Sequence, residues 1–437
     1  MGSSPTLSKV SVLLVFVFFV PLCSSSNAPP GFTGNRVYQP QPHAEKLIRS
    51  LNLFPEQAVN VIKEGLQSFV PGVIVEKNFS FLPRSADQDL AHHAGYYSLP
   101  HSKAANKDDP VVIWLSGGPG CGSEIALFYE NGPFHITNNL TLTWNDYGWD
   151  QASNILFIDQ PTGTGFSYSS DASDIRHDEE SISIDLYDFL QEFFKAHPQL
   201  VKNDFYITGE SYSGHYIPAL ASRVNQGNKR KEGIHINLKG FAIGDGLTNS
   251  LIQYRAYPDF AFRNGLIKKA NYDYYDIRKK CEGNLCYDFN NLETLLNLKT
   301  VKSALGVANE LKYVSCSTTV YDAMLQDWMR NFDVGIPALL EDGIKLLVYV
   351  GEKDLICNWL GNLRWVQAMK WSGQKAFVKS PTLKFMVDGA EAGSLNSYGP
   401  LTFLKVHEAG HLVPMDQPKA ALQMLKSWMA GNLTKTE

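Results

Sequence analysis

Short apolar runs alternate with helix-periodic segments along most of this chain. Each run is continuous enough in Val, Ile, Leu, Phe or Tyr to be buried on both faces, as the strands of a parallel sheet are. This alternation predicts parallel βαβ units and therefore an α/β fold. The predicted strands are Val111–Leu115, Asn154–Ile158, Phe205–Thr208, Leu238–Ile243, Lys345–Val350 and Leu401–Val406.

Two segments have the periodicity of amphipathic helices. The first covers residues 182–194, between the second and third predicted strands. The second covers residues 418–429, with Pro418 in its first turn and Gly431 as the stop. Residues 255–335 are rich in Tyr, contain Cys and have poor strand signals, so we expect them to form a helical cap inserted into the sheet domain.

The N-terminal part of the chain has a different composition. An apolar run follows a lysine and precedes small residues, which is typical of a cleaved secretory signal over residues 1–26. A membrane anchor is the alternative, but the run is about half of the ~20 residues that a spanning helix needs. We interpret the proline-rich residues 27–75 as a pro-segment, with a surface linker as the alternative, and expect the catalytic domain over residues 76–437.

Composition and charge narrow the class of partner. The chain has 437 residues, 44% of them hydrophobic, and can bury a large core. Its 39 Lys plus Arg and 44 Asp plus Glu form no long run of one sign, so we expect no binding to nucleic acid or, after signal cleavage, to membrane. Sequons at Asn78, Asn139 and Asn432 are compatible with the secretory pathway. The oligomeric state is left open.

A strand-to-helix turn around Ser211 is the first candidate for chemistry. The hexapeptide over residues 209–214 follows a predicted strand and precedes a helical stretch near His215, which is the context of a nucleophile elbow. Ser213 takes the place of the last glycine of the Gly-x-Ser-x-Gly pattern. For the hexapeptide alone, a serine in an ordinary turn is the alternative.

An acid and a base follow Ser211 in the order Ser, Asp, His that α/β-hydrolases use. Asp354 comes after the strand ending at Val350, and His411 comes after the strand ending at Val406. A serine hydroxyl needs such a base, and the base needs an anionic partner to fix its tautomer. Each residue alone is unremarkable, but their joint placement favours a catalytic triad.

A glycine run supplies candidate oxyanion donors. Ser-Gly-Gly-Pro-Gly-Cys over residues 116–121 directly follows a predicted strand, and glycines let the backbone approach a substrate closely. A phosphate-binding loop is the alternative, but the lysine of a Walker motif is missing. No segment predicted to be a helix carries the spacing His-x-x-x-His, so we expect neither a metal nor a cofactor.

Five motifs, in this order, resemble those of plant serine carboxypeptidases of the vacuolar, carboxypeptidase Y-like type. They lie at residues 114–120, 159–168, 210–214, 354–359 and 410–418. The resemblance implies an α/β-hydrolase fold with a central, mostly parallel sheet. It also implies removal of single residues from the C-termini of peptides and proteins at acid pH, in the vacuole or outside the cell.

The resemblance assigns roles within the site. Ser211 would be the nucleophile, His411 the base and then the acid, and Asp354 the group that orients it, with oxyanion donors at the amides of Gly118 and Tyr212. The carboxylate at the substrate's chain end would be held by Ser116, Gly117, Glu130 and Glu210. Two carboxyls in contact cannot both ionise cheaply, so one of the two Glu should keep its proton and donate it.

The cysteines are also assigned by resemblance. Cys121 would pair with Cys316, Cys281 would pair with Cys286, and Cys357 would be a free thiol near the site. A bridge between Cys281 and Cys286 would close only a small loop, so its effect would be local.

Three departures from the family leave alternatives open. Ser116 stands where Asn or Thr is usual, and Gly122 stands where Ser is usual. Between Ile267 and Asn271 the chain runs straight on, where family members carry a long cysteine-containing insertion, so the cap is expected to be truncated. The alternatives are an acyltransferase that uses glucose esters on the same fold, and a catalytically weak protein that binds a partner.

Overall fold

The computed structural model describes residues 108–169, 171–268, 288–305 and 307–434, together with the backbone of four strands nearer the N-terminus. Most of the predicted pro-segment, and the junction between Ile267 and Asn271, lie outside the described residues. The four N-terminal strands are β1 (Val10–Val12), β2 (Val15–Val17), β3 (Val75–Phe81) and β4 (Leu90–Tyr96).

All six predicted strands are present, and four further strands join them. The strands are β5 (Val111–Leu115), β6 (Phe134–Ile136), β7 (Leu142–Trp144), β8 (Asn154–Ile158), β9 (Phe205–Glu210), β10 (Leu238–Gly244), β11 (Lys345–Gly351), β12 (Leu383–Val387), β13 (Ala390–Tyr398) and β14 (Leu401–Val406). Three of the predicted strands extend one or two residues further than expected. The extension of β9 is informative, because the strand ends at Glu210, directly before Ser211.

The main sheet has the order β12-β13-β14-β11-β10-β9-β5-β8-β2. Strands β8, β5, β9, β10, β11 and β14 run parallel to one another, and antiparallel strands lie at both edges. The unpredicted strands β12, at the edge, and β13, next to it, contain polar and half-exposed residues, so they lack the continuous apolar runs that identify the centre. The six parallel strands at the centre confirm the predicted central, mostly parallel sheet.

Both apolar segments predicted as helices are confirmed, and shorter helices follow most strands. The helices are α1 (Glu179–Ala196), α2 (Ser213–Arg230), α3 (Ser250–Tyr254), α4 (Tyr257–Arg263), α5 (Asn290–Leu296), α6 (Lys299–Ala304), α7 (Thr318–Ala323), α8 (Ile336–Glu341), α9 (Trp359–Ala368), α10 (Gln374–Val378), α11 (Val413–Asp416) and α12 (Pro418–Met429). No helix among the described residues is both long and apolar enough to cross a membrane.

The sheet separates two hydrophobic layers, as the alternation of side chains along β5 requires. Val112 and Trp114 belong to the layer that also contains α12. Ile113 and Leu115 belong to the layer that contains α1 and α2. Because the central strands are covered on both faces, the residues at their carboxyl ends are held rigidly, and these ends carry the site.

The predicted cap lies between β10 and β11, and the described part of it is helical, as expected. The bond between Cys121 and Cys316 joins this cap to the glycine run after β5. Strand β1 pairs with β4, and β2 pairs with β8, so the apolar N-terminal run contacts the folded body in the uncleaved chain. Cleavage of residues 1–26 stays a prediction.

Candidate active site

Ser211 lies at the sharp turn between β9 and α2. Its φ of 62° is in the left-handed region, which residues with a Cβ adopt rarely and at a cost in strain. The Ser211 amide donates to the carbonyl of Gly244 at 3.0 Å. The Ser211 carbonyl accepts from the amides of Gly214 at 3.0 Å and Leu247 at 2.9 Å. This is the backbone of a nucleophile elbow, which presents the hydroxyl above the sheet.

The residues around the turn are small because neighbouring backbone leaves no room. A Cβ on Gly209 would lie 2.1 Å from the carbonyl oxygen of Leu115, and one on Gly214 would lie 2.4 Å from that of Leu247. Ser213, which replaces the expected glycine, is buried and donates its hydroxyl to the Leu115 carbonyl at 2.6 Å. The departure from the usual pattern is therefore accommodated by a hydrogen bond.

Asp354 and His411 form an oriented acid–base pair. The buried Asp354 carboxylate accepts the amides of Ile356 at 2.8 Å and Cys357 at 3.0 Å. It also contacts His411 Nδ1 at 3.0 Å, which leaves Nε2 free to act as a base. Burial lowers the pKa of His411, but attraction and hydrogen bonding to Asp354 outweigh it, so the net shift is upward.

Ser211 and His411 line one cavity of about 260 Å³. In the described part of the chain, no hydrogen bond joins the Ser211 hydroxyl to His411. Such bonds are often long in the free enzyme and tighten when substrate binds. The three predicted triad residues are therefore brought to one place, with the acid–base contact formed and the base–nucleophile contact open.

The glycine run after β5 packs against the nucleophile turn. A Cβ on Gly117 would lie 2.5 Å from the Tyr212 nitrogen and 2.7 Å from the Glu210 carbonyl oxygen. Gly118 has a φ of +110°, which a residue with a side chain would adopt only under strain. Gly118 and Tyr212 both line the cavity beside Ser211, where an oxyanion would form.

The two acids predicted to bind a substrate carboxylate are in contact and buried. Glu130 ends the helical turn Ala126–Glu130, and Glu210 ends β9. Burial raises the pKa of Glu130 to about 7, although a hydrogen bond with Glu210 and attraction to His411 act against the rise. Burial, followed by repulsion from Glu130 and that same hydrogen bond, holds the pKa of Glu210 well above its usual value. Both shifts favour the protonated carboxyls, which can lie in contact without repulsion.

Ser116 lines the cavity together with Glu210. Its hydroxyl accepts the indole N–H of Trp114 at 3.1 Å, and its amide donates to the hydroxyl of Ser123 at 3.2 Å. Gly122, the second departure from the family pattern, lies where a Cβ would meet a Glu124 carboxyl oxygen at 2.6 Å. A serine there would require Glu124 to move.

Two of the three predictions about the cysteines are confirmed, and the third concerns residues that the structure does not describe. The bridge between Cys121 and Cys316 is formed, and both residues line the cavity. Cys281 and Cys286 lie outside the described residues. Cys357 is a free, buried thiol on the cavity wall, and burial followed by repulsion from Asp354 raises its pKa well above its usual value.

The acid, the thiol and the imidazole also have metal-ligand spacing. One possible ligand atom from each of Asp354, Cys357 and His411 lies within 4.8 Å of the other two. Asp354 and His411 are bonded to each other, and the thiol keeps its proton because its pKa is raised. The arrangement fits a triad with a neighbouring thiol better than a site for zinc, which binds thiolate.

Two of the three sequons are at exposed positions. Asn139 lies in the turn between β6 and β7, and Asn432 lies after α12. Asn78 lies within β3, of which only the backbone is described. Glycosylation at these three positions stays a prediction.

Several residues at the site were not predicted from the sequence. Tyr257 and Trp328 from the cap, and Tyr254 directly before it, line the same cavity as Ser211 and His411. Asp245 lies next to the carboxyl of Asp354, directly after β10. The placement of Asp245 at the carboxyl end of a central strand, the same signal that identified Asp354, was available from the sequence.

Together, the parallel sheet, the strained serine at a nucleophile elbow and the Asp–His pair define a serine hydrolase with an α/β-hydrolase fold.

The chain belongs to the serine carboxypeptidase family, because the model of that family matches residues 85–284 and 273–431. It is similar to serine carboxypeptidase-like 48 of Arabidopsis thaliana, with 54% identity over 504 residues that cover 99% of this chain and 98% of that one. It is 55% identical over 481 residues to serine carboxypeptidase 3 of Oryza sativa subsp. japonica, covering 97% and 95% of the two chains.

A solved structure agrees with the fold. The crystal structure of Kex1(delta)p, a prohormone-processing carboxypeptidase from Saccharomyces cerevisiae, superposes with a TM-score of 0.71. The two chains are 25% identical, and the match covers 82% of this chain and 91% of that one. The family, the fold and the site therefore agree that this protein is a serine carboxypeptidase.

Proposed function

We propose that this protein releases the C-terminal residue of peptides and proteins at acid pH through an acyl-enzyme on Ser211. The observation that carries the proposal is one cavity lined by the nucleophile elbow, by the oriented imidazole of His411 and by Glu210, a buried acid in contact with Glu130. The first two features can perform acyl transfer, and the third can bind the carboxylate at the C-terminus of a peptide.

Acylation begins at the Ser211 hydroxyl. Its oxygen attacks the carbonyl carbon of the last peptide bond while His411 Nε2 takes its proton. Asp354 holds the opposite ring nitrogen and stabilises the imidazolium that forms. The amides of Gly118 and Tyr212 receive the negative charge of the tetrahedral intermediate.

The intermediate then collapses, and His411 passes its proton to the leaving amine. The released amino acid departs, and the rest of the peptide remains as an ester on Ser211. Water enters, loses a proton to His411 and attacks the ester. A second collapse returns the proton to Ser211 and frees the shortened peptide.

The acid pair selects a chain end by hydrogen bonding and not by an opposite charge. The raised pKa values of Glu130 and Glu210 favour protonated carboxyls at acid pH, and a protonated carboxyl can donate to the substrate's carboxylate. When Glu130 ionises, a negative charge stands beside the substrate's own charge and binding weakens. This provides a physical cause for tighter substrate binding at acid pH, whereas the raised pKa of His411 opposes catalysis as the pH falls, because the base becomes protonated.

We extend the proposal to a shortened cap. The alignment with the Arabidopsis relative has 504 positions, whereas this chain has 437 residues, so at least 67 of those positions have no counterpart here. The two segments matched by the family model overlap at residues 273–284, close to the predicted junction between Ile267 and Asn271. These observations support a loss within the cap and a more open cavity.

We also propose that the protein enters the secretory pathway and acts in the vacuole or outside the cell. The apolar N-terminal run, the exposed sequons at Asn139 and Asn432, and the bridge between Cys121 and Cys316 support this proposal. Expression with a C-terminal fluorescent tag that tolerates acid tests the location, and N-terminal sequencing of the mature chain identifies the cleavage points. A cytosolic signal would contradict the proposal.

The decisive experiment measures amino acid release from N-blocked dipeptides at about pH 5. The proposal predicts release by the wild-type protein and loss in the Ser211→Ala variant. Ser372→Ala is the matched control, because Ser372 is exposed and does not line the cavity. Activity only on glucose esters would instead support an acyltransferase. Inactivity on both, with no labelling of Ser211 by a phosphonofluoridate, would support a catalytically weak protein.

A further inference from the structure

Asp245 is a buried acid behind the triad that the acyl-transfer steps do not use. It follows β10, is fully buried and has a φ of 40°. Its amide donates to the Tyr349 carbonyl at 2.8 Å, and its Oδ1 accepts the amide of Gly351 at 2.8 Å. Asp245 therefore joins the carboxyl ends of β10 and β11. The β11 residue that it binds, Gly351, is three residues before Asp354.

The remaining oxygen of Asp245 has no N–H donor. Oδ2 is buried and accepts no hydrogen bond from the described residues. The Asp245 carboxyl is in hydrogen-bonding contact with that of Asp354, whose own oxygens accept the amides of Ile356 and Cys357. Two carboxyls in contact, away from water, require a proton between them.

The surroundings decide which carboxyl holds that proton. The oxygens of Asp354 already accept two amides and contact the ring of His411, so they are engaged as hydrogen-bond acceptors. Asp245 has one amide donor. The titratable groups that interact with Asp245 are Asp354, Glu210, Asp416, Tyr349 and Cys357.

No cation is among those neighbours within the described part of the chain. Burial, followed by repulsion from Asp354, raises the pKa of Asp245 well above its usual value. Ionised Asp245 would stand against a second buried carboxylate without compensation.

We propose that Asp245 is a positioning residue that remains a neutral acid and donates a hydrogen bond to the Asp354 carboxylate. This bond holds Asp354 in line with His411 Nδ1 without neutralising its charge. The inference deepens the proposed function and rests on it, because the triad is the machinery that Asp245 supports.

Two substitutions of Asp245 distinguish a role of its proton, as a hydrogen-bond donor, from a role of its negative charge. Asp245→Asn keeps the shape, tolerates the left-handed backbone, accepts from Gly351 through its oxygen and donates to Asp354 through its amide. Asp245→Gly removes the side chain without adding strain at a φ of 40°. Asp150→Asn is the control, because Asp150 is another buried acid and does not line the cavity.

The readout is kcat per active site, with folded sites counted by a phosphonofluoridate, over pH 5–7. We expect Asp245→Asn to stay within about threefold of wild type, since it keeps the donor. We expect Asp245→Gly to lose about tenfold to a hundredfold in kcat, with KM changed by less than about twofold, because a hydrogen bond to a charged group is lost.

Two results would overturn the proposal. Equal loss in the Asn and Gly variants would mean that the charge of Asp245, not its proton, is required. Unchanged kcat per site in the Gly variant, with only a lower unfolding temperature, would mean that Asp245 is purely structural. If the wild-type protein releases no amino acid, the proposed function fails separately, and the rate of Ser211 phosphonylation in the same variants still tests Asp245.

Discussion

Gly117 lies against the amide of Tyr212 so closely that a Cβ on Gly117 would be 2.5 Å from the Tyr212 nitrogen. The same Cβ would be 2.8 Å from the Cβ of Ser211. Backbone therefore contacts backbone where the glycine run meets the nucleophile elbow. The spacing between the two proposed oxyanion donors, Gly118 and Tyr212, depends on this contact.

Replacing Gly117 with alanine should damage the oxyanion site. The added methyl group forces the glycine run away from the elbow, and the Gly118 amide moves with it. Loss of one oxyanion donor costs about 10²–10³-fold in rate, so we expect a fall of this size in kcat/KM. Steady-state kinetics on an N-blocked dipeptide at about pH 5, per titrated site, measure it.

Gly335→Ala is the matched control for this substitution. A Cβ on Gly335 would meet only the hydroxyl of Ser222, at 2.9 Å, and that hydroxyl can rotate away. We expect activity close to wild type. A Gly117→Ala enzyme with the same kcat/KM as this control would show that the contact is not needed.

Binding of peptide substrates should weaken as the pH rises through the pKa of Glu130. This pKa is raised to about 7, so Glu130 is neutral at pH 5 and ionised at pH 8. Negative charge beside the substrate's carboxylate then raises KM. We expect Glu130→Gln, which cannot ionise, to flatten the rise in KM between pH 6 and pH 8 in initial-rate measurements.

An ester substrate without a free carboxylate provides the first control, because its KM should not follow the ionisation of Glu130. Glu310→Gln provides the second, since Glu310 is exposed and does not line the cavity. If the ester and the peptide show the same rise in KM, the acid pair does not recognise the chain end.

The central sheet could be predicted from sequence because its strands are buried on both faces. Such strands are continuous apolar runs, as in Val111–Leu115, and burial leaves little ambiguity. The strand Ala390–Tyr398, which lies between β12 and β14, could not be predicted in the same way, because most of its residues are partly or fully exposed and include Glu, Ser and Asn. Its pairing with β14 depends on tertiary contacts.

The triad was predictable for a related reason. Residues at the carboxyl ends of parallel strands meet at one edge of the sheet, so Ser211, Asp354 and His411 were expected to converge. Their convergence does not reveal the contact between Asp245 and Asp354, because two acids placed after neighbouring strands are normally expected to separate. The cap residues Tyr257 and Trp328 were also missed, since a helical insertion has no strand register that places its side chains.

Cys357 should make the enzyme sensitive to mercurials but slow to alkylate. The thiol lies on the cavity wall, where bound mercury would block substrate. Burial and Asp354 raise its pKa, so little thiolate is available to iodoacetamide. We expect p-hydroxymercuribenzoate to inhibit wild type at least about tenfold more strongly than the Cys357→Ser variant, measured as residual activity.

Peptide mapping by mass spectrometry supplies the control, because it shows whether Cys357 itself is modified. In urea the same residue should alkylate rapidly, since burial is lost. Equal inhibition of wild type and Cys357→Ser would mean that the mercurial acts elsewhere.

The buried acid Asp150 should make the protein less stable at neutral pH than at acid pH. Burial raises its pKa from 3.8 to about 7 in the folded state. Below 3.8 both states hold the proton; between about 4 and 7 only the folded state does, so stability falls as the pH rises through this window. Asp150→Asn does not titrate and should gain stability relative to wild type by up to about 4 kcal/mol at pH 8. Urea unfolding from pH 4 to pH 8 measures this gain. Asp322→Asn at an exposed position is the control, and a pH-independent difference between Asp150→Asn and wild type would contradict the assignment.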